Sequence, residues 1–132
     1  MENSLHHIIK DYCQLAKYHM KLARIMRNHN RFMTSLILCH SALMAMIRAL
    51  FIYENKTLPS SELTLVDLLQ LLHTDYNPGL EIVVFVGKLN FIIYEDQQSL
   101  EVIKEEDKDR LIKRTEEVLR ELCRRIKEKP KH

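Results

Sequence analysis

The sequence predicts an all-α protein: an up-down four-helix bundle with one additional short helix. Three observations predict it. From Phe32 to Tyr53 the clearly polar residues are only Thr34, Ser35, His40, Ser41 and Arg48, and neither Gly nor Pro interrupts the run. As a helix this stretch is about 33 Å long, at about 1.5 Å per residue. A helix apolar nearly all round must be enclosed on several sides. Gly and Pro are scarce, two and three in 132 residues, which favours helices over short turn-linked strands. Other segments carry apolar residues three or four apart, so amphipathic helices are available to do the enclosing.

The first helix is expected over about Leu5 to Asn28. Leu5, Ile8, Tyr12, Leu15, His19, Leu22 and Met26 make one apolar stripe, with Lys10, Lys17, Lys21 and Arg24 on the polar side. Asn28-His29-Asn30 is a polar break with a C-terminal signal in Asn. The second helix starts at Phe32 and ends near Asn55, and Leu58-Pro59-Ser60-Ser61 is a loop. Thr64 and Asp67 then fit a capping box, with Leu63 and Leu68 as a hydrophobic staple. The short helix that follows has Leu65, Leu68, Leu69 and Leu72 as its face. Asn77-Pro78-Gly79 breaks the chain again, with Asn77 as a cap and Pro78 in the first turn of the next helix.

Pro78 to about Glu95 is the second very apolar segment. Its β-branched residues would also suit a buried strand, but an isolated strand has no partner elsewhere, so a helix is expected. Asp96 to Ser99 is expected to be a loop. The last helix runs from Leu100 or Glu105 to Lys127, with Leu111, Thr115, Val118, Leu122 and Ile126 in one row and Leu119 and Cys123 beside it. Lys127 to His132 is a basic tail expected to fray. Short connections make these helices antiparallel neighbours.

Length suits a single domain over residues 1–132. The net charge of +2 conceals an uneven distribution. Residues 1–31 hold six Lys/Arg against two acids, residues 32–109 five against twelve, and residues 110–132 nine against four. Solvated helix faces account for such a pattern, and so would polyanion binding at the basic ends or pairing with a second copy. Cys13, Cys39 and Cys123 are an odd number set in apolar patterns, which points to buried thiols in a reducing cytoplasm. The first ten residues lack the long apolar core of a signal peptide. His40 and Arg48 argue against Phe32–Tyr53 as a membrane span.

No metal or cofactor site is expected. Cys39-His40 are adjacent and cannot share a helix face, and CxxC, HExxH and ExxH spacings are absent. Gly79 and Gly87, both solitary, cannot cradle a phosphate. His40 and Arg48 are two turns apart on nearly one face of the second helix. Buried polar groups need partners, so the bland reading is hydrogen bonding inside the bundle. The functional reading is a polar groove, shared with Ser41 and Tyr94, where a nucleotide or a partner helix docks. Arg24, Arg27, His29 and Arg31 cluster at the end of the first helix and are candidates for nucleic-acid contact. Arg120, Arg124 and Arg125 lie at the opposite pole, and no aromatic residues interleave with either cluster.

Ser41-Ala42, then Ala45-Met46-Ile47-Arg48-Ala49-Leu50-Phe51-Ile52-Tyr53, a loop, and Leu68-Leu69-Gln70-Leu71-Leu72 resemble the HEPN domain superfamily of helical bundles. The resemblance implies one of two functions. Some members resemble metal-independent ribonucleases and toxins that work as dimers, through an Arg, four to six intervening residues and a His, placed late in the bundle. Others lack that motif and accompany small nucleotidyltransferases or serve as binding modules. Here Arg24 and His29 have the gap, but Ile25 follows the Arg where a polar residue is usual, and the stretch ends the first helix. No His occurs between His73 and His132, and Thr64-Leu65 stand where a His often opens the short helix. These departures favour the non-catalytic branch. The expectation is a binding module, homodimeric, whose ligand is a nucleotide or RNA, or whose partner is a small nucleotidyltransferase, as in toxin-antitoxin pairs. A metal-independent ribonuclease and a plain protein-interaction bundle are the alternatives.

Overall fold

The computed structural model describes residues 2–60, 62–72 and 79–127. Among these described residues five α-helices follow one another: α1, Glu2–Asn28; α2, Phe32–Asn55; α3, Leu65–Leu71; α4, Gly79–Tyr94; and α5, Glu105–Lys127. No strand occurs among the described residues. Residues 80–94, apolar enough for a buried strand, are helical. The expected Asn77 cap and Pro78 first turn lie outside the described residues, as does the basic tail beyond Lys127.

α2 is the axis. Leu36, Cys39, Ala42, Leu43, Ile47, Ala49, Leu50 and Ile52 on it are fully buried. α1, α4 and α5 pack around it. Its length and hydropathy alone would let it cross a membrane, but the amphipathic neighbours enclose it. α2 ends at Lys56, which adopts a left-handed φ of 58° and returns its N–H to the Ile52 carbonyl. The turn between α1 and α2 likewise uses a left-handed residue, Asn30 at φ 61°, a conformation Asn tolerates better than most side chains.

The buried row of α1 differs from the expected stripe. Ala16, Met20 and Ala23 are in the core, while Leu15 is exposed. Small side chains let the α1 backbone approach α2 closely, and Ser35 uses that proximity to donate a buried hydrogen bond to the Ala23 carbonyl at 2.7 Å. A pattern weighted towards large side chains misses such a row. α5 follows its expected row more closely, with Thr115, Val118, Leu119 and Leu122 buried. It begins at Glu105, and a 3-10 helix, Gln97–Glu101, takes the place of the loop expected from Asp96 to Ser99.

α3 opens with the expected capping box. Asp67 N–H donates to Thr64 Oγ1 at 3.2 Å, and Thr64 N–H donates to the Asp67 carboxylate at 2.9 Å. Its far end is tied to α5: Arg125 donates to the Leu72 carbonyl at 3.2 Å, satisfying an acceptor that the end of a short helix leaves open. Burial would raise the Glu121 carboxyl, but hydrogen bonds from Arg124 and Arg125 outweigh it and hold the group below its ordinary value.

Candidate functional site

Helix geometry decides which candidate residues can meet. On α2, His40 turns towards α4, where Tyr94 meets it edge to face with ring centroids 6.4 Å apart. Burial lowers the His40 pKa below its ordinary 6.5, so the ring is held neutral. His40 borders a cavity of about 220 Å³ shared with Met44, Leu68, Val83 and Asn90. Arg48, two turns further on, does not line that cavity. Its guanidinium donates to the Ser60 carbonyl at 3.5 Å, a long contact that ties the end of α2 to the following loop. Ser41 is half-buried. The structure thus joins His40 with Tyr94 and sends Arg48 elsewhere.

The basic end of α1 divides in the same way. α1 and α5 are antiparallel, so the last turns of α1 meet the first turns of α5. Arg27 bonds Asp109 through Nε and Glu105 through Nη2, each at 3.0 Å. Burial works against its charge, but these carboxylates prevail and raise its pKa further. Arg24 is paired with Glu116 of α5. His29 donates from Nδ1 to the carbonyl of Ile25 at 2.8 Å, within its own turn. Arg31 is exposed. Arg24 and His29 are therefore engaged with different partners rather than with each other. At the opposite pole, Glu121 receives Arg124 Nη2 at 2.6 Å and Arg125 Nε at 3.3 Å.

Between these poles, α1 and α5 flank a groove of about 560 Å³. Its floor is Met20, Met46, Leu119 and Cys123, and its rim is Lys17, Lys21, Arg24 and Arg120. Glu116 is the one acid on it, and Arg24 already pairs with it. Lys17, Lys21 and Arg120 have no ion pair among the described residues. The field in the groove is accordingly positive over an apolar, sulfur-rich base. Met46 touches a second sulfur, with Cys13 Sγ 3.8 Å from its Sδ. The volume is in the range that small-molecule sites occupy, about 300–1,000 Å³. Sequence reasoning placed Lys17, Lys21 and Arg24 on one polar face but had no means of bringing Arg120 beside them. Only the antiparallel docking of α5 on α1 does that.

No cluster of three or more His, Cys, Asp or Glu that could hold a metal occurs among the described residues. All three cysteines are free, and burial pushes the Cys39 thiol up to about 11. In comparisons with known proteins, the profile of the HEPN domain matches residues 9–126. No curated protein and no solved structure matches the chain.

Proposed function

Because the chain belongs to the HEPN domain family, we propose that it is the non-cleaving kind of HEPN module, one that binds a nucleotide. The α1–α5 groove carries this reading. Three cations with no ion partner among the described residues stand over an apolar floor, which suits phosphates on Lys17, Lys21 and Arg120 and a base or ribose against Met20, Met46 and Leu119. The ribonuclease alternative needs an Arg and a His converging on one phosphate. Arg24 is held by Glu116, and His29 is bound to its own backbone. A small nucleotidyltransferase, which makes or consumes such a ligand, is the partner this reading calls for.

Titration calorimetry with a panel of ribonucleoside triphosphates tests the proposal. Binding is expected, weakened about tenfold or more by Lys21→Glu with Arg120→Glu, because two attractive contacts become repulsive. Absence of binding by every nucleotide would leave a protein-interaction bundle in its place. RNA cleavage that disappears in His29→Ala would establish the ribonuclease instead.

A further inference from the structure

The cavity that α2, α3 and α4 share lies apart from the α1–α5 groove. Gly87 and Asn90 are exposed at its mouth, and Leu68, Val83 and Val86 are buried around it. Its volume of about 220 Å³ is below the range of most drug-sized sites, about 300–1,000 Å³. An apolar cavity of about 150 Å³ suffices for benzene, so this one has room for a single ring with a substituent. No Lys, Arg, Asp or Glu among the described residues lines it. A charged ligand would enter without a counter-ion, which is costly, so the chemistry of the walls selects a neutral occupant.

Two polar groups line this cavity without partners of their own. Neither the His40 ring nitrogens nor the Asn90 amide has a hydrogen bond to another described residue. The contact of His40 with Tyr94 is ring edge to ring face and leaves the nitrogens unsatisfied. A neutral imidazole offers one acceptor nitrogen, and a carboxamide offers two donors. A hydroxyl is the smallest group that can donate to the first and accept from the second. Met44 adds a thioether to the wall, and such sulfurs pack favourably against aromatic rings. Gly87 is an independent observation. Glycine is a poor helix former, and a Cβ at this position would meet no atom within 4 Å. Packing does not require glycine there, whereas an open mouth does. We propose that this cavity binds a neutral phenol-like molecule, with its ring against Met44, Leu68 and Val83 and its hydroxyl on His40 and Asn90. A nucleoside triphosphate is too large and too charged for it, so this site is separate from the proposed nucleotide groove.

Nuclear magnetic resonance on the full chain, titrated with p-cresol and separately with toluene, tests the site. p-Cresol should give saturable shifts in the Met44 methyl and His40 ring signals. Toluene has the same ring and methyl without the hydroxyl, and should bind about fivefold more weakly. His40→Phe keeps a ring beside Tyr94 but removes the acceptor, so it should weaken p-cresol about fivefold and leave toluene unchanged. Gly87→Leu favours the helix, and its Cβ meets no atom within 4 Å. It should obstruct the mouth and weaken both ligands about tenfold or more, with the helical circular dichroism intact. The absence of saturable shifts at Met44 and His40 overturns the proposal. So does toluene binding as tightly as p-cresol in the unaltered protein, a comparison that needs no variant to fold. Binding indifferent to Gly87→Leu would place the ligand elsewhere and overturn it equally. Lys21→Glu with Arg120→Glu should leave p-cresol binding unchanged, so this site and the nucleotide groove can each fail without the other.

Discussion

Leu43 and Ile37 sit on the same helix, and truncating each to Ala asks what encloses α2. Leu43 is fully buried in the core, whereas Ile37 is 43% exposed. Leu43→Ala removes a fully buried apolar side chain from the helix around which α1, α4 and α5 pack. Those neighbours are held by their own buried rows, so the cavity cannot close by a simple shift. Such truncations destabilise by about 2–5 kcal/mol, and the poor prospect of collapse puts this one at about 3–4 kcal/mol. For a chain of this length that corresponds to a fall in Tm of about 10–15 °C. Ile37→Ala loses only partial burial and leaves no closed cavity, so about 1 kcal/mol or less is expected. Urea unfolding followed by circular dichroism measures both, with the slope unchanged and the midpoint moved. Equal losses at the two positions would refute the reasoning. They would mean that the face carrying Ile37 is covered as thoroughly as the core.

Two further outcomes follow from the polar contacts. His40 is neutral in the folded protein because burial lowers its pKa below 6.5. Its contribution is therefore complete above the ordinary value and is lost as pH falls below about 6.5 towards the native pKa, by up to about 1.4 kcal/mol per pH unit. His40→Gln should flatten the stability profile below about pH 6.5, and an unchanged slope would exclude His40 as its source. Arg125→Met removes the donor that the Leu72 carbonyl accepts from. A loss of about 1–3 kcal/mol is expected, with amide exchange in α3 accelerated more than in α2. Uniform acceleration across all helices would show that Arg125 does not hold α3 in particular.

Much of the fold was legible because it depends on local chemistry. The limits of α2 follow from the uninterrupted apolar run between Arg31 and Lys56, and the start of α3 from the Thr64–Asp67 capping box. The inward row of α1 was not legible. Hydrophobic periodicity weighs side-chain size, whereas Ala16 and Ala23 are buried by virtue of being small. The candidate site was less legible still. His40 and Tyr94 come from helices far apart in sequence and meet edge to face, whereas Arg48 reaches a loop carbonyl instead. The groove that carries the proposed function takes residues from both ends of the chain.

By itself the sequence determined the helices, their order and the family resemblance, because each is written in neighbouring residues. The tertiary structure decided which charges are engaged. Arg24, Arg27 and Lys21 look alike along α1, yet Arg27 is held by two carboxylates of α5, Arg24 by a third, and Lys21 by none among the described residues. That difference comes from the register of α5 against α1. It arises when two helices eighty residues apart bury their apolar rows against α2, and no local pattern encodes it.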